Sequence, residues 1–256
     1  MMRFASLGSG SSGNALIVEA GTTRIMLDCG FGLRDAVARL GRLGLEPSGL
    51  DAVIVTHEHA DHVGGVARLA RKYRLAVWIT PGTLAAVGNA FAGCERVHLI
   101  ERHARFGVGA IEMLPYPVPH DAREPAQFVF SDGARRLGVL TDAGSLTPQI
   151  EGALERCEAL VLECNHDVDM LNAGPYSPAL KHRIAGPLGH LDNRTAARLL
   201  ARTGGARLQH VVAAHLSRKN NTPELARAAL AAALGCSGDW IGVACQVRGF
   251  GWRELH

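Results

Sequence analysis

The chain has 256 residues, 47% apolar and 20% charged, which excludes a disordered or collagen-like polymer and leaves room for a substantial buried core. A net charge of +3 permits an anionic partner but falls short of the concentrated basic stripe of a dedicated nucleic-acid binder. No apolar run approaches the roughly 20 residues that span a bilayer, the start Met1 to Gly8 lacks the apolar segment of a signal peptide, and the cysteines (Cys29, Cys94, Cys157, Cys164, Cys236, Cys245) form no C-x-x-C pair. A cytoplasmic, reduced protein with no membrane partner, built as one domain over residues 1–256, is the expectation.

In chain order, alternating apolar patterns predict strands at 3–7, 15–19 and 24–28, then a helix at 33–43 and a strand at 51–56. A helix at 63–73, a strand at 76–80 and a helix at 81–91 follow, and then strands at 110–114, 127–131 and 137–141. The rest alternates: helix 146–157, strand 159–163, helix 193–203, strand 208–215, helix 223–234 and strand 241–247. Asp192 and Thr222 are good N-caps for the last two helices. Strands clustered early and then alternating with helices predict a layered α/β sandwich rather than a barrel. Gly8, Gly10 and Gly13 spell G-x-G-x-x-G, but the helix that a phosphate cradle should open is missing; 15–18 reads as a strand, so a tight hairpin is the better reading.

Directly after the predicted strand at 51–56 stands His57-Glu-His-Ala-Asp-His62, four potential metal ligands within six residues. Alternate side chains of an extended segment share a face, so His57 and His59 can converge on one ion, and once the chain turns Asp61 and His62 can serve a second. Further donors end later apolar segments: His120, Asp142 and His215. His57, His59 and His120 would give three nitrogens to one ion, Asp61, His62 and His215 would hold the other, and Asp142 could bridge the two. Neutral imidazole and carboxylate suit zinc, and the same set admits manganese or iron. Asp28, ending the strand at 24–28, is placed to accept a hydrogen bond from a liganding histidine. His98, His103, His182, His210 and His256 read as ordinary surface or core histidines, whereas His166 and His190 occupy unusual polar contexts.

His57-Glu-His-Ala-Asp-His62, with His120, Asp142 and His215 in that order, resembles the metallo-β-lactamase superfamily over essentially the whole chain. Ser6 to Ala15, Glu163-Cys-Asn-His-Asp167, Leu180 to Ile184, Gly189-His-Leu-Asp-Asn193 and His215 to Asn221 look like its YycJ/WalJ-like, exonuclease-related branch. The resemblance implies a four-layer αββα sandwich with a dinuclear metal site at the sheet edge. It also implies phosphodiester hydrolysis, exonucleolytic on DNA, by a hydroxide held between two metals about 3.5 to 4 Å apart. A Glu and a His that shuttle a proton in related nucleases would here be Glu163 and His190, with His190 the general acid for the leaving oxygen and Asp61 counted among the catalytic groups. Asp192 departs from the serine expected in the branch pattern, which leaves the helix cap intact and places an extra carboxylate beside an anionic substrate.

Lys181, Arg183, Arg218 and Lys219 are candidates for substrate phosphates, against the plainer reading of a solvated charged face. Two rival functions remain at this point. One is a small-molecule hydrolase on the same scaffold, acting on a cyclic phosphate, thioester, lactone or β-lactam; the other is a metal-stabilised binding module without turnover. The sequence carries no reading of oligomeric state.

Overall fold

The computed structural model describes residues 1–101, 104–205 and 207–256; His103 lies outside them. Two seven-stranded sheets carry the architecture. The first contains β1 (Met2–Gly8), β2 (Ala15–Ala20), β3 (Thr23–Leu27), β4 (Ala52–Ile54), β5 (Ala76–Ile79) and β6 (Val97–Leu99). The second contains β7 (Phe106–Val108), β8 (Ile111–Pro117), β9 (Ala126–Ser131), β10 (Arg136–Leu140), β11 (Ala159–Glu163), β12 (His210–Ala214) and β13 (Gly242–Val243). The last strand, β14 (Phe250–Leu255), returns to the first sheet and pairs antiparallel with β1. Both sheets are mixed: β3 to β6 run parallel in one and β10 to β13 in the other, and the remaining pairs are antiparallel.

The strand sequences explain the layering. In β2, Leu16, Val18 and Ala20 point into the core between the sheets, whereas Ala15 and Ile17 point out toward the helices. β11 repeats this, with Ala159 and Val161 facing inward and Leu160 and Leu162 outward. Both faces are apolar because each sheet is covered on both sides, so these strands read as continuous hydrophobic runs. Phe4, Phe128 and Phe130 fill the central layer with no exposed surface; truncating one to alanine costs about 3–5 kcal/mol.

Helices α1 (Leu33–Arg42) and α3 (Val66–Tyr73) cover the first sheet through Ala36, Leu40, Val66 and Leu69. Helices α5 (Pro148–Leu154), α8 (Asn193–Thr203) and α9 (Pro223–Leu234) cover the second through Ile150, Leu199 and Leu230. The result is the expected αββα sandwich. The remaining helices are α2 (Ala60–Val63), α4 (Pro81–Val87), α6 (Val168–Ala173) and α7 (Pro178–Ala185).

Several boundaries differ from expectation, each for a physical reason. The predicted helix at 63–73 is split, because Gly64 and Gly65 separate α2 from α3. Helix 81–91 stops at Val87, where Gly88 takes a φ of +56°, and continues as a 3₁₀ turn. The strand expected at 241–247 shrinks to two residues. Pro115 and Pro117 are tolerated in β8 because they lie past Ile111 to Met113, the stretch that β7 pairs with. Among the described residues no helix is long and apolar enough to cross a membrane.

Candidate metal centre

The clustered donors all follow strand ends. His57 and His59 lie in the loop after β4, while Asp61 and His62 sit on the single turn of α2. His120 follows β8, Asp142 follows β10 and His215 follows β12. Asp142 and His215 each have a φ of +54°, and Asp28, which follows β3, has +59°. A left-handed backbone at a residue with a side chain costs about 1–3 kcal/mol and persists where surrounding structure holds it. Here it turns the chain sharply at three strand ends, and all three side chains enter one buried cluster.

The donor atoms of His57, His59 and His120 lie within 4.8 Å of one another, and so do those of Asp61, His62 and His215. Asp142 stands between the two groups: Oδ2 is 3.1 Å from His62 Nε2, and Oδ1 is 3.4 Å from His215 Nδ1 and 3.9 Å from His120 Nε2.

Neighbouring acceptors orient the imidazoles. His62 Nδ1 is 2.8 Å from Asp28 Oδ2, and His120 Nδ1 is 3.1 Å from the Gly189 carbonyl, so both rings donate from Nδ1 and turn Nε2 toward the donor cluster. Thr56 gives its hydroxyl proton to Asp28 and therefore accepts from His57 Nδ1 at 2.9 Å. His57 Nε2, Asp142 Oδ2 and His215 Nε2 are buried with no hydrogen-bond partner. Orphaned polar atoms this close together are costly unless a cation joins them, so the donor set fits divalent metal ions.

The charges agree. Burial and the neighbouring His62 push His57 well below the ordinary imidazole range, leaving it neutral and able to ligate. Burial opposes a charge on His215, but Asp142, Asp61 and Glu163 push it up to about 10. Burial likewise opposes ionisation of Asp142, but His215 and His62 hold its carboxyl well below the usual range. Protons on His62 and His215 would balance the buried carboxylates, and cations held by the same ring nitrogens would take the place of those protons.

The family model described as beta-lactamase superfamily domain matches residues 23–215, the stretch that carries every one of these donors. The chain belongs to the metallo-β-lactamase superfamily. It is 33% identical over 249 residues to exodeoxyribonuclease WalJ of Streptococcus pneumoniae, covering 96% of this chain and 93% of that protein. It is 34% identical over 250 residues to exodeoxyribonuclease YycJ of Bacillus anthracis, covering 96% and 94%. The metallo-β-lactamase fold protein YhfI from Bacillus subtilis superposes with a TM-score of 0.77 at 15% identity, over 98% of each chain, a likeness of fold alone.

Beside the metallo-β-lactamase donor cluster stands a second pair. Glu163, fully buried, accepts from the backbone N–H of Ala143 (3.0 Å) and Leu191 (3.2 Å) through Oε2. Its Oε1 lies 2.8 Å from His190 Nδ1 and 3.2 Å from His215 Nδ1. Burial alone would raise this carboxyl, but His190 and His215 hold it at about 2. Burial works against a charge on His190 too, yet Glu163 and Asp142 raise its pKa. The His190 side chain stays 23% exposed, on a cleft of about 270 Å³ that His59, Asp61, Asp142, Arg183 and His215 also line.

Close backbone approach places His190 there. A Cβ on Gly144 would collide with the backbone nitrogen of Gly189, so glycine at 144 lets the loop after β10 lie against the loop that carries His190.

Of the four candidate phosphate ligands, Arg183 lines the cleft and is held by Asp121 at 2.8 Å. Lys181 turns to the Asn172 carbonyl, Lys219 lies 5.4 Å from the Tyr176 ring, and Arg218 is exposed; none of these three lines the cleft. Asp192 caps α8, accepting from the N–H groups of Arg194 and Thr195. Sequence reasoning missed Asn14, whose Nδ2 is 3.0 Å from His62 Nε2, and Asp121, whose Oδ1 is 3.5 Å from His120 Nε2. It also missed Ser9, whose hydroxyl accepts from the His215 N–H. Ser9 and Asn14 lie in the Gly-Ser run and Asp121 directly follows His120, positions that carried a signal only for a hairpin and a ligand.

Proposed function

We propose that this chain is a metal-dependent phosphodiesterase that removes nucleotides from DNA ends, a single domain over residues 1–256 with two divalent cations. The observation that carries this reading is the Glu163–His190 pair, joined at 2.8 Å and standing 3.6 Å from Asp142 at the edge of the donor cluster. The two relatives bearing the name exodeoxyribonuclease, similar over nearly the whole chain, support DNA as the substrate.

In this reading His57, His59 and His120 would hold one cation and Asp61, His62 and His215 the other, with Asp142 available to either. An imidazole-rich set favours zinc, with manganese and iron as alternatives. Bound cations supply Lewis acidity, which acidifies water and offsets phosphoryl charge. Asp28 and Thr56 fix the ring orientations of His62 and His57. Asp61, partly open to the cleft, stays ionised because His215 and His62 outweigh its burial, so its carboxylate accepts a hydrogen bond from the attacking water.

A sugar alkoxide is a poor leaving group and needs a proton. His190 keeps Nδ1–H on Glu163 and delivers the Nε2 proton to the departing oxygen. Arg183 sits within reach of a phosphate in the cleft, and Lys181, Arg218 and Lys219 are assigned to phosphates further along the strand. A cytoplasmic address belongs to the same reading, supported by six free cysteines.

The test is to incubate zinc- and manganese-loaded protein with end-labelled linear DNA, covalently closed circular DNA, a thioester and a β-lactam. Release of nucleotides from the linear DNA with the circle intact is the expected result. Cleavage of the circle at an equal rate would remove the end requirement, and faster turnover of the thioester or β-lactam would favour the small-molecule alternative.

A further inference from the structure

Past His190 lies a second cavity of about 410 Å³, larger than the cleft of about 270 Å³ over the metal donors. Among the described residues His190 alone lines both. A phosphodiester in the cleft that presents its leaving oxygen to His190 must send whatever is attached to that oxygen past the imidazole, toward this second space.

The walls have the chemistry of a nucleotide site. Leu171, Leu191 and His166 form a buried floor, each at most 2% exposed. The His166 backbone is fixed, since its carbonyl accepts from the Asn193 N–H at 2.9 Å, whereas its Nδ1 is buried with no partner. At the rim, Thr195, Arg198 and Arg202 lie at i, i+3 and i+7 along α8 and face the cavity together. Arg198 is exposed and donates to the Thr195 hydroxyl at 2.9 Å, and Arg202 pairs with Glu151. Asp192 also lines the space, with its carboxylate turned to two α8 amides and the Thr195 hydroxyl, so Arg198, which pairs with no carboxylate among the described residues, is the rim cation that meets a ligand.

Taking the phosphodiesterase reading as its basis, we infer that this cavity binds the nucleoside on the leaving side of the scissile bond. The base lies on the apolar floor beside His166, and its far phosphate meets Arg198. A volume of this size is within the range of small-molecule sites. An aliphatic floor with one imidazole reads little of the base edge, so the site accepts every base.

The test uses His166→Leu, which removes a ring whose buried nitrogen has no partner to lose, and Arg198→Ala, at an exposed position. Calorimetry on the metal-free protein measures binding of 2′-deoxyadenosine 5′-monophosphate and of inorganic phosphate. The metal-loaded protein is then assayed on an end-labelled oligonucleotide and on bis(p-nitrophenyl) phosphate, which has no nucleoside. The wild type is expected to bind the nucleotide about tenfold more tightly than phosphate, and each variant to weaken nucleotide binding about tenfold. The ratio of kcat/KM on the oligonucleotide to that on bis(p-nitrophenyl) phosphate should fall by about the same factor, with the rise in KM dominating. Nucleotide binding no tighter than phosphate, or unchanged in both variants, overturns the inference even if DNA is hydrolysed. Absence of DNA hydrolysis with variant-sensitive nucleotide binding overturns the phosphodiesterase reading and leaves the cavity as a nucleotide site.

Discussion

Glu163 Oε1 lies 2.8 Å from His190 Nδ1 and 3.2 Å from His215 Nδ1, so one buried carboxylate holds both the proposed proton donor and a proposed metal ligand. The two roles separate by leaving group. His190→Ala should lower turnover of DNA by a factor of about 10² to 10⁴ and leave p-nitrophenyl esters, whose leaving group needs no proton, much less affected. Steady-state kinetics on both substrates check this; equal loss on both would remove His190 from proton transfer. Glu163→Gln should lose DNA turnover as well and weaken metal binding through His215.

Asp28 touches no proposed cation, but it accepts from Thr56 N, Thr56 Oγ1 and His62 Nδ1, each at 2.8 Å. Asp28→Ala should therefore cost about 10- to 100-fold in metal affinity by freeing two imidazole rings. Competition with a chromogenic chelator measures it. Unchanged affinity would show that ring orientation is held elsewhere.

The strands and donors were legible in the sequence for different reasons than the elements that escaped it. β2, β10 and β11 are covered on both faces and announce themselves as apolar runs. α7 buries none of its residues, so it has no apolar stripe for a period to reveal. β14 carries a glycine and two charged residues and owes its place to pairing with β1 across most of the chain. Within the site, His57 to His62 form an unusual local string, whereas Asn14 becomes a partner of His62, and Asp121 of His59, only when distant loops close over them.

Gly144 makes a steric prediction. Gly144→Ala places a methyl against the Gly189 backbone and should cost about 1–3 kcal/mol of stability. Because the displaced segment carries His190 and touches the seven proposed ligands only through the Gly189 carbonyl that orients His120, DNA turnover should fall more steeply than metal content. Thermal unfolding, elemental analysis and turnover together test it; loss of metal in parallel with activity would contradict the separation.

The cysteines should differ sharply in reactivity. Burial pushes Cys29 and Cys157 up to about 12, and Cys164 higher still, so these thiols stay protonated and inert. Cys245 is exposed, and its pKa is lowered chiefly by the Arg248 N–H. A lowered pKa populates the thiolate at lower pH, so iodoacetamide should label Cys245 first and reach its maximal rate below the pH of an ordinary thiol, about 8.5. Peptide mapping across a pH series reads this directly; first labelling at a buried cysteine would contradict it.

The seven donors are tested most directly by counting ions. Protein saturated with zinc, passed through a desalting column and analysed by inductively coupled plasma mass spectrometry should carry two ions per chain. Double substitution of His57 and His59 by alanine should leave one, as should substitution of His62 and His215. One ion or none on the wild-type chain, or two retained after either double substitution, would contradict the assignment.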